Sequence, residues 1–291
     1  MSAPSGGDRL TPPERHRRIC AQLTRGADGI WSAPVPSSEQ RVEVTMREQM
    51  AAKPHVDYIR DIARHHSVPV MDREVARFLA RVPKNGAIVD VGGCWGWHWR
   101  HLSSTRPDVT VVIVDFVRGN LQHAKRVLGP LIETQVALVH GDATALPFDD
   151  GTFDAFWTVQ TFQHIPDFAK ACQEAYRVMR GGPFACYSLH ATPAVRVVYG
   201  LMGRTFHLEG QVRDAFYLAR ANDTQRRIVG DVFHDAARMR YSECLFHPDL
   251  RCTVAGVERS VLGWIDARLS DWPLIGRWLA RQCAFEARKA A

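Results

Sequence analysis

The stretch IVDVGGCWGWHWRHL, residues 88–102, decides the fold of this 291-residue chain. AIVDV (87–91) follows an Asn85-Gly86 turn and reads as a short apolar strand. Gly92, Gly93 and Gly96 then permit a tight turn in which backbone approaches a ligand, and a helix through His98 to Ser104 follows. Helix-N-terminal N–H groups after such a turn point at anionic or polar ligands, and the carboxyl end of a strand is where nucleotide-like ligands bind. Taken alone, the string also fits a plain strand-to-helix turn.

Working outward, the pattern alternates between helix and strand. DREVARFLARV (72–82) places Val75, Phe78, Leu79 and Val82 on one helical face. VTVVIVDF (109–116), VALVHGD (136–142), FDAFWTVQ (153–160) and FACYSLH (184–190) read as strands. Helices at 121–128 and 167–179 separate them. Strands without strict alternation, divided by helices, indicate a parallel sheet buried on both faces, a doubly wound α/β core from about 73 to 190.

Beyond His190 the segments Ala194–Met202, Gln211–Ala219 and Asp223–Met239 look helical, so 191–240 reads as a helical insertion after the fifth strand. SECLFH (242–247), CTVAGV (252–257) and QCAFEAR (282–288) are strand-like, with a helix at 261–281 interrupted by Pro273. At the other end, residues 1–14 are rich in Ser, Gly and Pro and are expected to form a disordered tail. Two helical stretches, Glu14 to about Leu23 and Glu39 to His66, flank SAPVPSS (32–38). The second carries the apolar stripe Val42, Met46, Met50, Val56, Ile59 and Ile62. The expected organisation is a helical cap at 15–72 and one domain at 73–291.

Three acids end strands on one rim of the sheet: Asp90, Asp115 and Asp142. Asp115, 19 residues past Gly96, is placed either to accept both hydroxyls of a ribose or to cap the following helix. Asp142 is placed either to accept from an adenine amino group or to form a turn. A G-x-G-x-x-G cannot be laid on Gly92 to Leu102, which argues against a dinucleotide dehydrogenase.

DVGGCWG (90–96), Asp115, GDATALPFDDGTFD (141–154), QHIPD (163–167) and EAYRVMRGG (174–182) together resemble the successive motifs of class I S-adenosylmethionine-dependent methyltransferases, in particular the small-molecule group that includes quinone-biosynthesis enzymes. The resemblance covers about 85–190. It implies a Rossmann-like doubly wound, seven-stranded sheet whose last strand is antiparallel, with QCAFEAR as the natural candidate. Carried over, it places Gly92 and Gly96 at the methionine moiety, with Gly93 in the same cofactor-binding loop supplying flexibility, Asp115 on the ribose, and Asp142 with Ala143 at the adenine. Phe116 would pack on the adenine face and Gln160 would lie beneath the sulfonium, while Asp90 helps hold the cofactor site. His164 and His190 are the candidate bases on the rim. Two departures stand out: Cys94 where a third glycine is commoner, and Trp95 where a small residue is usual.

The implied activity is methyl transfer from S-adenosylmethionine to a small organic acceptor by direct displacement. The alternative is a cofactor-binding but inactive homologue serving as a regulatory or partner subunit, motivated by Cys94-Trp95. The segment 191–240 supplies Tyr199, Phe206, His207, Phe216, Tyr217 and Phe233 beside Arg196, Arg204 and Arg213, suited either to covering a flat acceptor or to forming the core of a cap.

Composition narrows the class further. The chain is 46% hydrophobic and 23% charged, a globular balance that excludes wholesale disorder. Its charge of +6 is spread thinly, without a basic stripe, which argues against nucleic-acid substrates. Seven cysteines without a CxxC pair suggest neither a zinc ribbon nor a disulfide framework, so no metal is expected. No apolar run is long enough to span a bilayer, and the expectation is a cytoplasmic protein, its oligomeric state open.

Overall fold

The computed structural model describes residues 10–33, 41–212 and 216–290. Of the tail expected at 1–14, residues 1–9 lie outside these, and Pro12 already opens helix α1 (Pro12–Ile19). Thr11 and Glu14 close a reciprocal capping box there, satisfying N–H groups that the first turn leaves open. A short hairpin follows, β1 (Thr24–Arg25) and β2 (Trp31–Ser32), then helices α2 (Arg41–Ala51), α3 (His55–Ala63) and α4 (Val68–Leu79). The region 15–72 is therefore not wholly helical, and α4 starts ahead of the boundary expected at 73. Among the described side chains of α3 the buried one is Tyr58, whereas Val56 of the expected stripe faces solvent; the side chains of Val42 and Ile62 lie outside the described ones.

The central alternation runs β3 (Ala87–Val91), α5 (Leu102–Thr105), β4 (Thr110–Asp115), α6 (Arg118–Leu128), β5 (Val136–His140), β6 (Ala155–Val159), α7 (Phe168–Val178) and β7 (Gly182–Leu189). The chain continues with α8 (Pro193–Leu201), β8 (Glu209–Val212), β9 (Phe216–Ala219), α9 (Asp223–Phe233), β10 (Arg238–Ser242), α10 (Val261–Leu269), α11 (Pro273–Leu279) and β11 (Gln282–Lys289). The sheet order is β1-β2-β5-β4-β3-β6-β7-β11-β10. It has nine strands where seven were expected, because the N-terminal hairpin joins the edge through β2 pairing parallel to β5. The antiparallel strand is β11, inserted between β7 and β10, with Gln282 opposite Leu189.

The sheet is buried on both faces because alternate residues of each strand serve different helix layers. Val89, Val91, Val112, Phe156 and Phe184 pack with Ala171, Ala175, Val229 and Phe233 from α7 and α9. Ile88, Val111, Ile113 and Trp157 pack with Val75, Phe78, Leu121 and Leu128 from α4 and α6. Burial of each such side chain contributes roughly 1.5–3 kcal/mol, so this two-sided apolar pattern dictates the layered architecture.

The insertion differs from the helical reading. Gln211–Ala219, expected as a helix, falls across an antiparallel hairpin, β8 with β9, where cross-strand pairing overrides a weak helical spacing. The helix expected to reach Met239 stops at Phe233, because His234 adopts a left-handed φ of +51° and turns the chain toward β10. CTVAGV forms a 3-10 turn at Val254–Gly256 instead of a strand, and of SECLFH only Ser242 belongs to β10.

Candidate cofactor and active site

The glycine turn after β3 owes its shape to three left-handed residues: Gly92, Cys94 and Gly96, at φ +73°, +50° and +71°. A left-handed conformation costs a side-chain-bearing residue roughly 1–2 kcal/mol. Cys94 nevertheless adopts it. Its N–H donates to Asp115 Oδ2 at 3.1 Å, and its Sγ lies 2.8 Å from the Tyr58 hydroxyl. The intervening Gly93 has no room for a Cβ, which would run into the Asp90 carboxylate and Ile113. Gly92 is fixed from both sides, donating to Val114 O at 2.7 Å while Thr161 packs against its Cα.

Asp90 points into the α4–α6 layer, where it accepts from Trp99 Nε1 at 2.7 Å. Burial pushes its carboxyl up to about 7, against the pull of that hydrogen bond. Asp115, at the end of β4, is also buried and is pushed up to about 6. The opposing pull comes from the donors that converge on it, Val117 N at 2.8 Å, Asn120 Nδ2 at 3.3 Å and Cys94 N. Asn120 is held in turn by Tyr58, whose hydroxyl donates to Asn120 Oδ1 at 2.9 Å. The Tyr58 ring stacks on His123 at 3.8 Å. Tyr58 and Asn120 are components that sequence reading did not single out. Asn120 follows Asp115 closely enough to have been suspected, but Tyr58 reaches the site from α3, and only the tertiary fold reveals it.

Neighbouring strand ends bring in the remaining residues. Asp142, after β5, accepts from Thr144 N at 2.8 Å and Thr144 Oγ1 at 2.9 Å, so the turn-forming role is real. Ala143 packs partly buried beside it, and Phe116 lies against the cluster of Tyr58, Trp95 and Val117. Gln160, after β6, is left-handed at φ +53° and donates from Nε2 to Gln282 Oε1 at 3.1 Å. Since β5, β4, β3 and β6 are adjacent in the sheet, Asp142, Asp115, the glycine loop and Gln160 share one rim. A separate cleft of about 510 Å³, lined by His98, Trp99 and α4, includes none of the rim acids.

The two histidines occupy different surroundings. His164 ends a 3-10 turn, with Nδ1 2.8 Å from Tyr217 O and Nε2 3.1 Å from Gln163 Nε2. A carbonyl partner requires Nδ1 to carry the proton, leaving Nε2 to accept from the Gln163 amide. Burial, reinforced by the Arg47 charge, pushes His164 down to about 3, so the ring is neutral. Phe216 touches it edge-on, and β9 packs over its turn while also meeting α2, which carries Arg47. His190 turns instead toward the β10–β11 side, with Nδ1 3.2 Å from Ala280 O and its ring against Tyr241. The structure thus brings the glycine loop, Asp115 and Asn120 together but does not bring the two histidines together.

The altered loop is accommodated by packing. Trp95 is buried and stacks on Trp97 at 4.8 Å, and the Cys94 thiol is pushed up to about 12 by burial, which makes it a poor nucleophile. Of the insertion's aromatics, Phe233 is a core residue against Phe184, whereas Tyr199 and Phe206 pair edge-to-face at 5.4 Å under Arg204 and Arg220. Arg213 lies outside the described residues.

Residues 89–186 match the family model described as a methyltransferase domain. The chain is 38% identical over 109 residues to the demethylmenaquinone methyltransferase of Roseiflexus castenholzii, a match covering 37% of this chain and 44% of that protein. It thus spans less than half the length of that relative. It is 24% identical over 220 residues to a malonyl-[acyl-carrier protein] O-methyltransferase of Geobacter sulfurreducens, covering 75% and 79%. Among solved structures, a chain of the complex between the Haloferax volcanii Trm112 methyltransferase activator and a methyltransferase superposes with a TM-score of 0.55 at 18% identity, covering 86% of this chain and 98% of that one. With the strand order and the rim geometry, these likenesses identify residues 89–186 as a class I S-adenosylmethionine-dependent methyltransferase domain.

Proposed function

We propose that this chain transfers a methyl group from S-adenosylmethionine to a small organic acceptor. The observation that carries the reading is the left-handed run at 92, 94 and 96 beside the buried Asp115 carboxylate. The lack of a Cβ at Gly92 and Gly96 in such a run suits close approach of a ligand to the backbone, and the oxygens of Asp115 suit a diol. In this reading Gly92, Gly93 and Gly96 face the methionine portion, Asp115 the ribose, and Asp142, Ala143 and Phe116 the adenine. Asp90 holds the loop from behind, and Gln160 lies at the reacting end.

When bound, the sulfonium supplies an activated methyl group with its own leaving group, so alignment contributes much of the acceleration. The protein's task is therefore to orient and to exclude water. We assign His164 a positioning role on the acceptor side, because a neutral ring pushed down to about 3 is a weak base. Phe216 and Tyr217 of β9 with Arg47 of α2 frame that side, an aromatic and cationic setting that favours a flat acceptor. The inactive-homologue alternative loses its motive, since Cys94 takes the backbone conformation a glycine would take.

Calorimetric titration with S-adenosylmethionine and S-adenosylhomocysteine, with NAD as control, tests the cofactor assignment. Binding of the first two but not NAD is expected, followed by methyl transfer in a screen of aromatic and quinone-like acceptors. Absence of binding would sink the reading. Binding without transfer to any acceptor would favour the regulatory alternative.

A further inference from the structure

Two consecutive helices near the C-terminus are built inside out. Helix α10 packs on the protein through Gly263, Asp266 and Ala267, and its outer face presents Val261, Leu262, Ile265 and Trp264, the last 59% exposed. Helix α11 repeats this, burying Gly276 against Tyr241 while Trp272, Leu274 and Trp278 stand 63%, 79% and 62% exposed. A surface helix normally buries its apolar stripe and exposes its polar one. Helix α8, which lies beside α11, exposes Val197, Leu201 and Met202, and the 3-10 turn beside α10 exposes Val254. An apolar area of this kind marks an interaction surface.

The charges around it choose the partner. Arg196, Arg204, Arg259, Arg268 and Arg277 are exposed along these elements. Of the acids in the same elements, Asp266 is buried and Asp271 is paired with Arg73, Arg77 and Arg240, which leaves Glu258. Arg268 lies over the Trp264 ring at 4.8 Å, and a groove of about 590 Å³ beside it is lined by Arg259 and Glu258 together with Arg73, the partner of Asp271. Exposed Trp and Leu on short helices, ringed by arginine, match the apolar boundary and the anionic headgroups of a bilayer surface. A second copy fits poorly, since a two-fold contact would set this arginine ring against itself. Among the described residues no helix is long and apolar enough to cross a membrane, so the contact is with its surface.

We infer that the face formed by α8, α10 and α11 docks the protein peripherally on anionic phospholipid bilayers. Helix α8 leaves the end of β7, and α11 enters β11 at Gln282, opposite Leu189, so the face adjoins the rim that carries the candidate site. Docking does not depend on methyl transfer and is measured without cofactor.

The test is co-flotation of the full chain with vesicles of phosphatidylcholine alone or mixed with phosphatidylglycerol. Binding is expected on the mixed vesicles, weakened by salt. The double variant Leu274→Ser/Trp278→Ser should lose about tenfold or more in partitioning at an unchanged melting temperature, since both side chains are exposed. Arg268→Glu/Arg277→Glu should lose a similar factor on anionic vesicles only. Failure of the wild type to float with anionic vesicles overturns the inference, as does equal binding by the variants. So does a dimer in sedimentation velocity that dissociates in Leu274→Ser/Trp278→Ser, which would assign the face to a second copy.

Discussion

If Asp115 accepts the ribose hydroxyls, adenosine binding must follow its ionisation. Burial places the carboxyl at about 6 before ligand arrives, while Val117 N and Cys94 N donate to one oxygen each and the Asn120 amide lies across both at 3.3 and 3.4 Å. A diol has to take the place of that long amide contact as a donor, so the ionised form is the one that binds. About one tenth of the protein is ionised at pH 5 and nearly all at pH 8, so the dissociation constant should fall about tenfold across that interval. The probe is 5′-methylthioadenosine, which keeps the ribose and adenine but lacks the amino-acid group and its own titration. Near pH 6, binding should also release protons, visible as a dependence of the calorimetric heat on buffer ionisation enthalpy. Asp115→Asn should bind more weakly by about 2 kcal/mol at pH 8 and lose the slope. Asp90→Asn should leave the slope in place, because Asp90, pushed up to about 7, is still mostly protonated where Asp115 titrates. Stability of the free protein runs the other way: a carboxyl raised above its unfolded value contributes fully below about pH 4 and loses that contribution as pH rises through 6. A pH-independent affinity in the wild type, or a slope surviving in Asp115→Asn, refutes the assignment.

Gly92→Ala should destabilise the fold by about 2–4 kcal/mol in thermal melts, because φ is +73° and the new Cβ would sit 2.6 Å from Thr161 Cβ; a loss below about 0.5 kcal/mol would show that the loop relaxes. Tyr58→Phe removes the donor to Asn120 Oδ1 and should cost about 1–3 kcal/mol in denaturant unfolding while slowing alkylation of Cys94, because the hydroxyl helps to hold the thiol down; faster alkylation would show that the hydroxyl does not stabilise the thiolate. His164→Ala should lower turnover with cofactor affinity unchanged, and the wild-type pH–rate profile should show no limb near 6.5 that the mutant lacks. Such a limb would make His164 a base after all. Because His164 is lowered, its neutral form stabilises the fold above about pH 6.5, and that contribution is lost as pH falls toward 3.

The parallel core was legible because its signals are local and redundant. Val111 to Val114 form an apolar run flanked by helix periodicity, and a strand buried on both faces needs nothing more. The antiparallel QCAFEAR strand was legible through family resemblance alone, since a single chain-end strand does not announce its orientation. The edge hairpin β1–β2 was missed because two-residue strands at Thr24–Arg25 and Trp31–Ser32 carry no periodicity. The β8–β9 hairpin was missed because Val212, Phe216 and Ala219 also satisfy a helical spacing, and short runs leave that ambiguity open. At the site, Asp90, Asp115 and the glycines announce themselves by position at strand ends. Tyr58 and Arg47 do not, because their roles arise from how α2 and α3 come back over the sheet.

That return alters the meaning of the departures in the glycine loop. Read along the chain, Cys94 is a lost glycine and Trp95 an intrusion. In the fold, Cys94 is hydrogen-bonded to the cap: its Sγ meets Tyr58, its N–H meets Asp115, and Tyr58 also fixes Asn120 beside the same carboxylate. A glycine at 94 would ease the backbone by roughly 1–2 kcal/mol but would leave Tyr58 without its sulfur partner beside Asp115 and Asn120. The strain at Cys94 is thus offset by contacts that only α3 can supply. It follows that α3 completes the loop rather than merely sheltering it, and that Tyr58 belongs with Cys94, Asp115 and Asn120 as part of one hydrogen-bonded unit.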